Sequence, residues 1–185
     1  KFFLGHNKKN IDKEDAVVFS SAINFNNAEI RKAISKKIPL LSRADMLGEL
    51  MKNKKSIAIA GSHGKTTTTS LVGNILSHGN LDPTIVNGGI INSLSKNNRF
   101  GKGDWMVVEA DESDGSFLKL PHQISIITNL DVEHMDFYQN KKNLIRSFNN
   151  FINMLPFYGT SVICLDDKNL PSLIKKIKTR NIITY

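Results

Sequence analysis

Residues 56–69, Ser-Ile-Ala-Ile-Ala-Gly-Ser-His-Gly-Lys-Thr-Thr-Thr-Thr, leave this chain little choice of architecture. A short apolar run that stops at a glycine predicts a buried strand of the kind found in parallel sheets. Beyond the loop, Leu71, Val72, Ile75 and Leu76 recur at helical spacing, so a strand must turn directly into a helix. Gly61 and Gly64 let backbone N–H groups converge on an anion, Lys65 adds a point charge, and the Thr66 hydroxyl is placed to ligate Mg2+. The implied ligand is a nucleoside triphosphate. Only Ser62 and His63 separate the two glycines, so the loop is a shortened variant of G-x-x-x-x-G-K-[ST]. Alone it also fits a glycine-rich turn that binds nothing; the strand before it and the helix after it favour phosphate.

The rest of the chain repeats the alternation. Asp15–Ser21 reads as a strand, Asn27–Lys36 as a helix with Ile30, Ala33 and Ile34 inward, and Ile38–Leu41 as a second strand. Ser42 with Asp45 resembles a capping box opening a helix with Met46, Leu47, Leu50 and Met51 on its inner face. The polar stretch Lys52–Lys55 suggests a boundary between a domain over 1–52 and another over 53–185. In the second, strands are expected before Val86, over Trp105–Ala110, Ile124–Asn129 and Thr160–Leu165, and from Asn181, with a polar connection over Asn92–Asp104. Lys141–Leu155 and Asp166–Lys178 read as helices. Alternating strands and helices imply an α/β fold with a mostly parallel, doubly wound sheet.

Composition narrows the function. No apolar run approaches the roughly 18 residues that span a bilayer, so membrane insertion is not expected. The first 20 residues lack a signal-peptide pattern, which makes a cytoplasmic location the default. Cys164 is the only cysteine, which rules out an intrachain disulfide or a cysteine-based zinc site, and its apolar neighbours suggest a core position. The net charge of +8 comes from lysines scattered in pairs without interleaved aromatics, so a nucleic-acid partner is not expected. Oligomeric state is open. Lys1 is an unusual natural start, and the opening residues read like the middle of a fold, so a fragment is expected.

Ligands of open parallel sheets sit beyond the carboxyl ends of strands, and three such ends carry polar chemistry. The first is the loop at Gly61. The second is Val107-Val-Glu-Ala-Asp-Glu-Ser-Asp114, with four carboxylates; hard oxygen ligands suit Mg2+, and Glu109, nearest the strand, is the first choice. A solvated acidic turn is the alternative. The third is Ile127-Thr-Asn-Leu-Asp-Val-Glu-His-Met-Asp136, where His134 can ligate a second metal or bond a phosphate while Asp131 and Asp136 orient it. His63 either touches phosphate or fills space. His6, His78 and His122 read as structural or exposed. Asn87-Gly88-Gly89 offers close backbone approach to a substrate, or is a simple turn.

These segments together resemble the Mur ligases of peptidoglycan synthesis, and most of all the branch that adds L-alanine to UDP-N-acetylmuramate. Gly61-Ser-His-Gly-Lys-Thr-Thr-Thr-Thr69 is similar to that branch's G-T-H-G-K-T-T-T loop, and Glu109 to Leu118 to its E-A-D-E-S-D-x-S-F-L. Thr128 to Tyr138 is similar to T-N-x-x-x-D-H-M-D-x-Y, with Glu133 where the family usually has Asp. Ser20-Ser-Ala-Ile23, Val86-Asn-Gly-Gly89 and Leu155-Pro-Phe-Tyr-Gly159 also resemble family segments, so the likeness covers essentially the whole chain. It implies the C-terminal half of a Rossmann-like, UDP-binding N-terminal domain over 1–52 and most of a central ATPase domain over 53–185, without a C-terminal domain. ATP and Mg2+ are implied, with Gly61, Ser62, His63, Gly64, Lys65, Thr66 and Thr67 at the nucleotide and Thr66, Glu109 and His134 at metal. Lys65, Glu109 and His134 are the implied catalytic residues, and Ser20, Ser21, Asn87, Gly88 and Gly89 the substrate side. The implied reaction activates a lactyl carboxylate as an acyl phosphate before L-alanine attacks it. Other Mur ligases carry a carbamylated lysine after the D-H-M-D segment; the corresponding helix here has Asn149 and Asn150, so carbamylation is not expected. The related tripeptide-adding ligase usually reads E-A-D-E-Y-D, so Ser113 and Met135–Tyr138 favour the L-alanine branch. An inactive nucleotide- or substrate-binding piece is the further alternative.

Overall fold

The computed structural model describes residues 1–88, 98–175, 177 and 181–185. They form two compact units, Lys1–Glu49 and Leu50–Tyr185, so the division falls at Glu49 where the sequence suggested residue 52.

In the first unit, β1 (Val17–Phe19) pairs in parallel with β2 (Leu40–Ser42), and α1 (Ala28–Ser35) links them. Asn27 caps α1 by accepting the Glu29 N–H at 2.8 Å. Ile30 and Ala33 are buried, but Ile34 turns outward, because positions 30 and 33 already define the narrow inner stripe of so short a helix. Both strands are shorter than expected. Pro39 has no N–H to give to a ladder, so β2 starts at Leu40 while the Pro39 carbonyl accepts from Val17. The capping box forms: the Asp45 N–H donates to Ser42 Oγ at 3.1 Å and the Ser42 N–H to Asp45 Oδ2 at 3.2 Å. It opens α2 (Arg43–Met51), whose buried side is Ala44, Leu47 and Met51, with Leu50 exposed.

The second unit is built on β3 (Lys55–Ala60), β4 (Thr84–Val86), β5 (Asn98–Arg99), β6 (Trp105–Glu109), β7 (Ile124–Ile127), β8 (Thr160–Ile163) and β9 (Asn181–Thr184). Their order is β5-β4-β6-β3-β7-β8-β9, parallel except for β5, a two-residue antiparallel edge within the polar connection. β3 is buried from Ser56 to Ala60 and packs Ile57 and Ile59 with Val107. After β3 the chain forms α3 (Lys65–His78) and crosses to β4 on one side; β7 and β8 lie on the other. That reversal opens a crevice beyond the carboxyl end of β3. The ends of β6 and β7 flank it, so the three polar strand ends are neighbours.

α5 (Lys141–Asn153) buries Leu144, Phe148, Phe151 and Ile152, as its spacing predicts. The last helix is much shorter than expected: α6 spans only Leu170–Ile174. Asp166–Asn169 is instead a turn in which Asp167 Oδ1 accepts the Asn169 N–H at 2.7 Å, and Pro171 sits in the first helical turn. Cys164 is half-buried, at the end of β8. His122 is buried and stacks on Phe151 with ring centroids 4.2 Å apart. No helix among the described residues is long and apolar enough to cross a membrane.

Candidate functional site

The loop between β3 and α3 turns on its glycines. Gly61 has φ +138° and Gly64, the N-cap of α3, φ +79°. A Cβ on Gly61 would stand 2.1 Å from Thr128 Oγ1, so no side chain fits there. The loop delivers the chain into the first turn of α3, where Lys65, Thr66 and Thr67 have backbone N–H groups without intrahelical partners.

Lys65 folds back over the loop. Its Nζ donates to Gly61 O at 2.7 Å and Ser62 O at 3.3 Å, and forms an ion pair with Glu112 Oε1 at 2.9 Å. Glu112 is 1% exposed, and its Oε2 is a buried atom without a hydrogen-bond partner. Burial raises its carboxyl above the ordinary range, and Lys65 opposes that rise. The Glu112 carbonyl accepts the Tyr138 hydroxyl, and Tyr138 itself is buried.

Thr66 and Glu109 meet directly. The Thr66 hydroxyl lies 3.1 and 3.0 Å from the two Glu109 carboxylate oxygens, and the Gly88 N–H donates to Glu109 Oε2 at 2.7 Å. A hydroxyl and a carboxylate at the mouth of an anion cradle fit Mg2+, which takes few protein ligands beside phosphate oxygens and water. Among the described residues, no group of three or more His, Cys, Asp or Glu side chains is arranged to hold a metal ion by itself. His134, the N-cap of the short helix α4 (Met135–Tyr138), adopts left-handed φ 56° and ψ 39°. That conformation is costly for a non-glycine residue. Its Nε2 lies 3.9 Å from Glu112 Oε1.

Some expected neighbours are arranged differently. The Asp131 carboxylate faces His63, not His134: Asp131 Oδ2 lies 3.3 Å and Glu133 Oε1 3.4 Å from His63 Nε2. The N–H groups of Ser62 and His63 point to Asn129, at 3.3 Å to its carbonyl and 2.8 Å to its Oδ1. Asn87 is 6% exposed, and its side-chain amide turns to Ser70 Oγ at 3.3 Å. Gly88 is exposed beside Glu109, and Gly89 lies outside the described residues. Ser20 and Ser21 are exposed just past β1 in the first unit.

Sequence reasoning did not single out Glu112, Thr128, Asn129 or Tyr138. The four carboxylates from Glu109, at the end of β6, to Asp114 look alike in sequence, and only the fold buries Glu112 beside Lys65. The available signal was the pair Thr128-Asn129 closing an apolar strand, since amides and hydroxyls at strand ends satisfy loop backbone.

Residues 59–185 match the model of the Mur ligase middle domain, and residues 1–55 that of the Mur ligase family, catalytic domain. A UDP-N-acetylmuramate–L-alanine ligase of Brucella anthropi is 51% identical over 183 residues, covering 99% of this chain and 39% of the relative. The chain thus spans about two-fifths of the curated relatives it matches. Among solved structures, UDP-N-acetylmuramate-alanine ligase of Thermotoga maritima superposes with a TM-score of 0.81 at 27% identity, over 99% of this chain and 41% of that one. The UDP-N-acetylmuramate:L-alanyl-gamma-D-glutamyl-meso-diaminopimelate ligase of Neisseria meningitides gives 0.85 at 20% identity, over 98% and 62%, a likeness of fold. With models covering both of its units, the chain belongs to the Mur ligase family.

Proposed function

We propose that this chain is part of an ATP-dependent ligase that joins L-alanine to the lactyl carboxylate of UDP-N-acetylmuramate in the cytoplasm. The observation that carries the reading is the convergence of Lys65, Thr66, Glu109 and His134 at three adjacent strand ends. The identity of the substrates is supported by the Brucella and Thermotoga relatives.

In the reaction, a carboxylate oxygen attacks the γ-phosphorus of ATP and the bond to the β,γ-bridging oxygen breaks, releasing ADP. The L-alanine nitrogen then attacks the acyl carbon, phosphate departs with the bonding pair, and the nitrogen loses a proton. Such a transfer needs positioning and charge neutralisation more than covalent help. Gly64 and the first turn of α3 cradle the phosphates, and Lys65 holds the β/γ oxygens. Thr66 and Glu109 would hold Mg2+, which would supply positive charge against the charge that develops on the phosphates, and His134 would hold a second ion. Ser62, His63 and Thr67 line the nucleotide side. Residues 1–52 contribute to binding the UDP group through Ser20 and Ser21, and Asn87 and Gly88 belong to the substrate side of a central domain over 53–185.

The test is phosphate release by the natural-length protein containing these residues, given ATP, Mg2+ and UDP-N-acetylmuramate with L-alanine, L-serine, glycine or the tripeptide. Release with L-alanine, abolished in Lys65→Ala, is expected. Release with the tripeptide alone would assign the recycling reaction instead, and near-normal turnover of Lys65→Ala would sink the assignment of the loop.

A further inference from the structure

The shortened loop raises a physical question. A loop with two residues between its glycines has little backbone with which to fix its own shape around an anion, so partners outside the loop must set the direction of its N–H and C=O groups. The partners come from outside the loop, from the dipeptide that follows β7. The Ser62 N–H donates to Asn129 O at 3.3 Å, and the His63 N–H to Asn129 Oδ1 at 2.8 Å. The His63 carbonyl accepts twice, from Asn129 Nδ2 at 2.9 Å and Thr128 Oγ1 at 2.7 Å. One step further, the Asp131 N–H donates to Ser62 Oγ at 2.8 Å.

Asparagine suits this place chemically. Its amide offers an acceptor and a donor in one plane, so a single side chain meets both the N–H and the C=O of His63, as a neighbouring strand would. The His63 N–H can be met only by an oxygen, which fixes the amide orientation. Thr128 is anchored in turn, its N–H donating to Ala60 O at 3.1 Å where β3 and β7 end in register at Ala60 and Ile127. The contact is tight enough that a Cβ on Gly61 would lie 3.0 Å from both the N and O of Asn129.

We propose that Asn129, seconded by Thr128, is the positioning residue of the nucleotide site, extending the β3–β7 ladder past the strands to hold the shortened loop open. The inference rests on the nucleotide reading of this loop. One consequence follows for the ligand: the N–H groups of Ser62 and His63 are committed to Asn129, so those of Gly64, Lys65, Thr66 and Thr67 are left to grip phosphate. Asn129 touches no phosphate and acts through the loop.

The experiment uses the natural-length protein and its Asn129→Ala, Asn129→Asp and Thr128→Val variants. MgADP binding is measured by calorimetry, KM by turnover for each substrate, and unfolding by thermal melting without nucleotide. With two hydrogen bonds to His63 removed, Asn129→Ala should weaken MgADP binding and raise KM for ATP by at least about tenfold. KM for the other two substrates should stay within about twofold, and the unliganded melting point should move little, since the lost bonds are near the surface. Asn129→Asp turns an oxygen toward the His63 carbonyl and should do no better than alanine. Thr128→Val, which keeps the branched shape and removes the hydroxyl, should show the same pattern at a few-fold. Unchanged MgADP affinity in Asn129→Ala, or a loss shared by all substrates with a lowered melting point, would overturn the inference. Failure of the ligase reading looks different: the wild-type protein would bind MgADP but release no phosphate, and the ADP titrations of the variants would still decide the role of Asn129.

Discussion

The pair Lys65–Glu112 couples the phosphate-binding loop to the acidic turn after β6, and the structure sets how strongly. At 2.9 Å, opposite unit charges attract by about 6 kcal/mol at an effective dielectric constant of about 20. Burying both ions cancels much of that attraction, so the intact pair contributes little net stability. Breaking it is asymmetric. Lys65 keeps the carbonyls of Gly61 and Ser62 and a side chain 15% exposed, whereas the Glu112 side chain is 2% exposed with one oxygen unpartnered. Lys65→Met therefore strands a buried carboxylate and should cost about 3–5 kcal/mol. Glu112→Gln, which keeps an acceptor near Lys65, should cost about 1 kcal/mol. The double variant should be more stable than Lys65→Met, with a coupling energy of about 2–4 kcal/mol. Burial already lifts Glu112 above its ordinary 4.5, and losing Lys65 lifts it further. A raised folded value stabilises fully below 4.5 and the benefit is lost as pH rises through the raised value, so the Lys65→Met deficit should grow with pH. Urea unfolding at several pH values, followed by Trp105 fluorescence, measures all three variants. A double variant no more stable than Lys65→Met, or a deficit flat with pH, refutes the reasoning.

Two further predictions concern the frame around the site. His122 is held neutral by burial, its pKa lowered from 6.5 to about 4; the unfolded chain therefore binds a proton first as pH falls. Stability from this group is fully present above 6.5 and lost toward 4, a span of 2.5 units or about 3 kcal/mol, so acid-unfolding curves of His122→Phe should flatten across that window. A Cβ on Gly73 of α3 would stand 2.4 Å from Ile85 Cδ1 on β4, and Ile85 is 1% exposed. Gly73→Ala should thus lower stability by about 1–2 kcal/mol in spite of alanine's helix propensity, and adding Ile85→Val, which removes that Cδ1, should restore most of it in chemical denaturation.

What was legible in the sequence was whatever local chemistry dictates. The β3–loop–α3 unit could be read because glycines, an apolar run and helical spacing act within about 20 residues of one another. The Ser42–Asp45 box could be read because caps are local, whereas Asn27, read only as the start of a helix, proves to be its cap. Glu112 could not be distinguished, since its burial depends on distant packing. Gly115 takes left-handed φ 72°, and the turn that follows drives Phe117 against Phe148 and Phe151 from α5, more than 30 residues away. Asn129 was hidden for the same reason: its partners stand 66 positions earlier, and only the adjacency of β3 and β7 joins them.

That adjacency also bears on why a site of this kind would depend on a divalent cation. Lys65 is the one side-chain cation bonded into the described loop, and Glu112 already neutralises it. Glu109 adds a second carboxylate at the mouth, held by the Thr66 hydroxyl and the Gly88 N–H, both neutral donors. An incoming triphosphate therefore meets a cradle whose fixed side chains carry no surplus positive charge, and backbone N–H groups at a helix start supply only about half a unit. Either Lys65 leaves Glu112, exposing a buried carboxylate to the cost worked out above, or positive charge arrives with the nucleotide. Under the proposed ligase reading, Mg2+ carried on the phosphates would meet the second condition without breaking the buried pair, with Thr66 and Glu109 as the residues that would hold it, so the acidic turn that looks ill-suited to an anion site would favour metal-bound nucleotide.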